Sequence, residues 1–162
     1  MAVRDVLLIG VLVFVLALGF FVIKFTADTV IAKMVSIPQI NQSADTVKSL
    51  QGITTGVTNK LDMVVFGVFI GLVIALIITG WFVGGIPIFA FIYSLIVIMG
   101  VIFSTVLANV WQTITAKAVF GATLSSFPIS NHILNYLPLY TAVIGFIGLV
   151  VMFAKPAFSP GE

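Results

Sequence analysis

"MVVFGVFIGLVIALIITGWFVGGIPIFAFIYSLIVIMGVIFSTVLANVWQTITA", residues 63–116, contains no formally charged side chain. About 20 mainly apolar residues cross the roughly 30 Å of hydrocarbon in a bilayer, so the run is long enough to cross twice. "VGGIP", residues 83–87, divides it. Gly84 and Gly85 suit a left-handed helix stop, and Pro87 suits the first turn of the next helix, where its missing N–H costs nothing. The run therefore predicts a transmembrane hairpin, with spans at about 63–83 and 86–110.

Two further stretches have the same character. Residues 6–23 follow Arg4-Asp5 and precede Lys24. Their apolar stretch exceeds the usual ~7–15 residues of a signal peptide, so they read as an uncleaved anchor. Residues 136–154 end at Lys155-Pro156, with Pro138 tolerable in the first helical turn. The expected fold is an all-α integral membrane protein of one domain, residues 1–162, with four transmembrane helices.

Composition agrees with this reading. The 162 residues are 61% hydrophobic and 7% charged, and mean hydropathy is +1.31, values foreign to soluble globular chains. Zero cysteines exclude disulfides and thiolate metal sites, and one histidine with five acids leaves little for another metal cage. No metal, cofactor or catalytic residue is expected, and the stock of acid–base groups is too thin for most enzymes. A formal charge of +2, thinly spread, gives no nucleic-acid-binding face.

Charges of both signs are dense only in residues 24–62. Ile23, Ala27, Val30, Ile31 and Met34 recur at helical spacing, as do Val47, Leu50, Thr54, Val57 and Leu61 beyond "IPQINQS". These seams predict that the first and second membrane helices continue into water and pair as a helical extramembrane hairpin, broken near Pro38 and restarted by Ser43 as N-cap. Residues 111–135 read as an interfacial loop. Five of the seven basic residues fall in these two segments, which places both on the cytoplasm-equivalent face and the termini opposite. Trp111 and Tyr136 are expected as anchors at that interface, and Trp81 at the other.

Gly67, Gly71, Ala75 and Thr79 stand in a four-residue repeat on the second span, and Gly100, Ser104 and Ala108 on the third. Small residues in a row let helix backbones approach closely where lipid supplies no hydrophobic drive. Packing between the tethered second and third spans is the favoured reading; a homo-oligomer interface is the other. Intramembrane charge, the mark of ion pathways, is absent, and Lys24, Asp62 and Lys155 sit at span ends where they can reach headgroups. His132 reads as an interfacial polar residue without partner ligands.

On a helical wheel Thr105, Asn109, Gln112 and Thr113 share a polar arc with Ala116, extended by Ser104, Ala108 and Thr115. Phe103, Val106, Leu107, Val110, Trp111 and Ile114 occupy the opposite arc, which is expected to face lipid. The polar arc is then a contact face for protein, from a partner or from the same chain.

"STVLANVWQTIT", residues 104–115, ending a third span that follows a Gly-Gly-Ile-Pro turn, resembles small multi-pass membrane proteins of lipid-containing icosahedral viruses of bacteriophage or archaeal-virus type. Those proteins show a Ser, then Leu-Ser/Ala-Asn, then an aromatic residue leaving the bilayer. The resemblance implies a structural role in the virion's internal membrane, organising lipid and linking it to a capsid protein or neighbouring copies. A small pore-forming or holin-like protein, oligomerising through Gly67 and Gly71, and an accessory subunit of a larger membrane complex are the alternatives.

Overall fold

A computed structural model describes residues 2–56, 60–83 and 87–158; side chains are described from residue 8 to residue 154, apart from Thr79, Val83, Pro87 and Phe89 in those segments. The elements are α1 (Ala2–Val35), α2 (Pro38–Asn41), α3 (Ala44–Gly56), α4 (Leu61–Val83), α5 (Pro87–Thr115), a 3-10 turn (Ala118–Phe120), α6 (Gly121–Leu124), α7 (Pro128–Asn135) and α8 (Leu137–Phe158). Among the described residues four helices are long and apolar enough to cross a membrane. The protein is an all-α membrane protein with four such spans.

The span limits follow their local chemistry. Pro87 opens α5 and Pro138 stands second in α8, both positions whose N–H would be unpaired in any residue. Gly84 and Gly85, expected to stop α4, lie outside the described residues. The first membrane helix, expected to continue beyond its 6–23 span into water, does so: α1 runs without a break to Val35, because nothing between Lys24 and Val35 interrupts a helix. Pro38 then forms the first turn of α2, and the Ser43 hydroxyl accepts from the Thr46 N–H, capping α3.

α3 lies against α1. Of its residues only Val47, Leu50 and Thr54 are half-buried, facing α1 residues such as Ala27, Ile31 and Met34 that are covered to a similar degree; Ile23 and Val30 are exposed. Val57 lies outside the described residues. No α3 side chain is fully buried, so the contact is a narrow seam.

In the bundle, α5 packs chiefly on α8 and α1, and α4 on α1 and α8. The second and third spans therefore stand at opposite corners, held apart by α1 and α8. The expectation that they pack on each other is corrected here: a three-residue connection ties their ends, but the glycines at close approaches lie where α8 meets α5 and α4. Gly80 of α4 faces α8, 3.8 Å from the Gly148 carbonyl when given a Cβ. On α8, a Cβ at Gly145 would sit 2.4 Å from a Val97 γ-methyl, and at Gly148 2.2 Å from the Tyr93 hydroxyl. These glycines let α5 settle onto α8, where contact is van der Waals packing.

Two apolar clusters result. Val13, Ala17 and Phe21 of α1 meet Phe69, Trp111, Phe127 and Leu134 at the loop end of the bundle. Leu76, Tyr93, Val97 and Met152 form the second, nearer the opposite end.

Candidate functional site

Residues 118–135, expected as a loop, fold into a helical cap over the loop end of the spans. The Phe127-Pro128 step starts α7, and Ser130, Ile133 and Leu134 are buried against the bundle. The amides of a first helical turn have no partner within the helix. Here Asp62, in the first turn of α4, supplies one from a distant part of the chain. Its Oδ2 accepts from the Ile129 N–H at 3.0 Å and its Oδ1 from the Ser130 N–H at 2.7 Å. The carboxylate is thereby at the N-termini of two helices at once, where both dipoles favour negative charge.

A second joint closes the other side of α7. The Trp111 indole N–H donates to Asn131 Oδ1 at 3.0 Å, and Asn135 Nδ2 donates to the same oxygen at 3.0 Å. Phe21 stands edge-on to Trp111 at 5.3 Å and to Phe127 at 5.7 Å, and it also meets Phe120. Where such a side chain would otherwise face water, burying it contributes about 1.5–3 kcal/mol. One turn further along α1, Lys24 is buried and pairs with Asp28 at 3.0 Å.

Three expectations are corrected by this geometry. Lys24 and Asp62 do not reach for headgroups: each is almost wholly buried and engaged within the protein. The Lys155 side chain lies outside the described residues. Trp111, expected to anchor the lipid-facing arc, is 0% exposed and turned into the cap. Its indole N–H is satisfied there by Asn131, so the ring is buried with no unpaired donor.

The wheel separates the right two arcs of α5, but the buried line runs between them. Gly100, Ser104, Ala108 and Trp111 face the bundle, with Phe103, Val106 and Val110 exposed on one flank. Thr105, Asn109, Gln112 and Thr113 are exposed on the other, uncovered by the described residues, while Ser104 and Ala108 at the edge of the polar arc are buried. Thr105 and Thr113 direct their hydroxyls to the Val101 and Asn109 carbonyls of their own helix. On α4, Gly67, Gly71 and Ala75 are exposed, and a Cβ at Gly67 or Gly71 meets nothing within 4 Å. The favoured intramolecular role for that row is thus corrected; the Thr79 side chain lies outside the described residues. Trp81 is 42% exposed at the far end of α4, and Tyr136 is 52% exposed at the cap, its ring 4.9 Å from that of His132.

The sequence reading passed over the joints made by Asp62, Asn131 and Asn135, and the packing glycines Gly145 and Gly148. A lone acid at the start of an apolar span is the signal for Asp62; Gly145 and Gly148 stand three residues apart on α8 and so share one face. Among the described residues no cluster of His, Asp or Glu could hold a metal ion. What the end of the bundle can do chemically is bind by hydrogen bonds. A recess of about 510 Å³ lined by Gln112, Thr115, Asn131, Asn135 and Tyr136 opens beside the cap. No family model, curated protein or solved structure matches this chain.

Proposed function

We propose that this chain is a non-catalytic structural protein of a bilayer enclosed by a protein shell, as in the internal membrane of a lipid-containing virion. The observation that supports it is the unbroken course of α1 out of the bundle. From Phe25 to Val35 the helix runs about 15 Å and ends about 21 Å beyond the Phe21 level, braced by α3 and carrying exposed Lys33. A continuous helix couples the position of this arm to the spans without a hinge, which suits a tie between a membrane and a protein layer. The buried polar groups at the loop end hold the cap and the arm's base in place.

The test is compositional. Purified particles should contain this chain in many copies together with lipid, and Lys33 on the arm or Lys48 on α3 should crosslink to the shell protein. Particles that lack the chain overturn the proposal.

The open Gly67–Gly71 face favours a second reading, an oligomerising pore-forming protein. Under that reading liposomes reconstituted with the chain leak dye, and Gly67→Leu abolishes the leak; sealed liposomes at high protein density refute it.

A further inference from the structure

We propose that one side of α5, from its contact with α8 up to the cap, is a binding site for one membrane lipid of the loop-side leaflet, with a hydroxyl-bearing, uncharged headgroup. Two cavities lie along it, the lower against α8 and the upper against α6 and α7. The lower is an open groove of about 450 Å³ whose walls include Val97, Ile98 and Val101 of α5 and Ala142 and Phe146 of α8. The upper is the recess of about 510 Å³ beside the cap.

Both open on the same line of α5. Val97, Val101, Thr105, Ala108, Gln112 and Thr115 follow one another at three- and four-residue steps and so share a face. Between the cavities Thr105 and Asn109 are exposed, and the Thr105 hydroxyl is already satisfied by its own helix. From Ile98 to Gln112 the line covers about 21 Å. That is half of the roughly 40–45 Å thickness of a bilayer with its headgroups, the reach of one lipid. An apolar lower half and a hydrogen-bonding upper half repeat the division within a lipid molecule. A protein helix would need an apolar match along the whole line, and the Gln112–Asn135 end denies it.

The headgroup chemistry follows from the recess. No charged side chain lines it, so an anionic phosphate would find no counter-charge there. Its walls include the uncharged hydrogen-bonding side chains of Gln112, Thr115, Asn131, Asn135 and Tyr136. A sugar or glycerol hydroxyl, which both donates and accepts, matches carboxamide and hydroxyl walls; a phosphodiester only accepts, and a trimethylammonium group does neither.

The experiment is native mass spectrometry of the full chain, released from micelles doped equally with glucosyl-diacylglycerol and phosphatidylcholine of identical acyl chains. The expected result is one bound glucosyl lipid, retained at least tenfold over phosphatidylcholine, with no competition from free methyl glucoside. Gln112→Ala removes an exposed carboxamide and should bring retention down tenfold. Ala142→Phe fills the lower groove and should do the same. Ile98→Trp, at a position 57% exposed, obstructs the groove without entering the helix contact and must reproduce that loss. Equal retention of both lipids, or retention unchanged in Gln112→Ala and Ile98→Trp, overturns the proposal. So does efficient disulfide formation between copies of Ile98→Cys, which would place a second chain in the groove.

Discussion

Gly145→Ala tests the helix contact on which the bundle depends. The new methyl would lie 2.4 and 2.8 Å from the two γ-methyls of Val97 and 3.2 Å from its Cβ, against about 3.5–4.0 Å for carbon atoms at ordinary contact. Val97 cannot turn away, because a β-branched side chain in a helix has one strongly preferred rotamer and the Cβ itself is too near. α8 must therefore withdraw from α5 by about 1 Å, loosening the Tyr93–Gly148 approach one turn on. Overpacking of this kind costs about 1–3 kcal/mol, offset by up to about 1 kcal/mol from replacing Gly within a helix. The expected net loss is about 1–2 kcal/mol, read by titrating SDS into nonionic micelles and following unfolding by tryptophan fluorescence. Val97→Ala removes both offending methyls, so the double variant should recover at least about 1 kcal/mol relative to additivity. Gly67→Ala and Gly71→Ala, where the methyl meets nothing, should be neutral or slightly stabilising. A Gly145→Ala protein as stable as the parent, or no rescue by Val97→Ala, refutes the packing described.

Other outcomes follow from the cap and the arm. Asp62→Ala leaves the Ile129 and Ser130 amides without their acceptor and should cost about 2–4 kcal/mol, with faster hydrogen exchange across residues 128–135 and little change in the spans. In Trp81→Phe protein the remaining Trp111 should resist quenching by both aqueous iodide and brominated lipid; strong quenching by brominated lipid would restore the lipid-facing orientation. Ser43→Ala removes the α3 cap at about 1 kcal/mol, and exchange should rise at Val47–Leu50 while α4 is unaffected.

The spans were legible because each needs only length, apolarity and a stop, and Pro87, Pro138 and the paired glycines are local signals. The course of α1 to Val35 was legible as well, since Ala27, Ile31 and Met34 keep a helical spacing past the charges at Lys24 and Asp28 and no breaker comes before Pro38. The two outer arcs of α5 were visible on a wheel, but which line between them faces protein depends on what α7 brings to Trp111. That partner, Asn131, is twenty residues away and Asp62 is sixty-seven from its nearer amide, and no periodicity connects such pairs. Gly67 and Gly145 are the same residue in similar apolar helices. Only the position of Val97 makes one a contact and leaves the other on the surface.

Electron cryo-microscopy of the native assembly bears most directly on the proposed role. Four rods embedded in a curved bilayer beneath a protein shell are expected, with density for the Phe25–Val35 arm reaching the inner surface of that shell. Finding the chain in a planar cell envelope, its arm ending in solvent with no protein layer above it, would contradict the account.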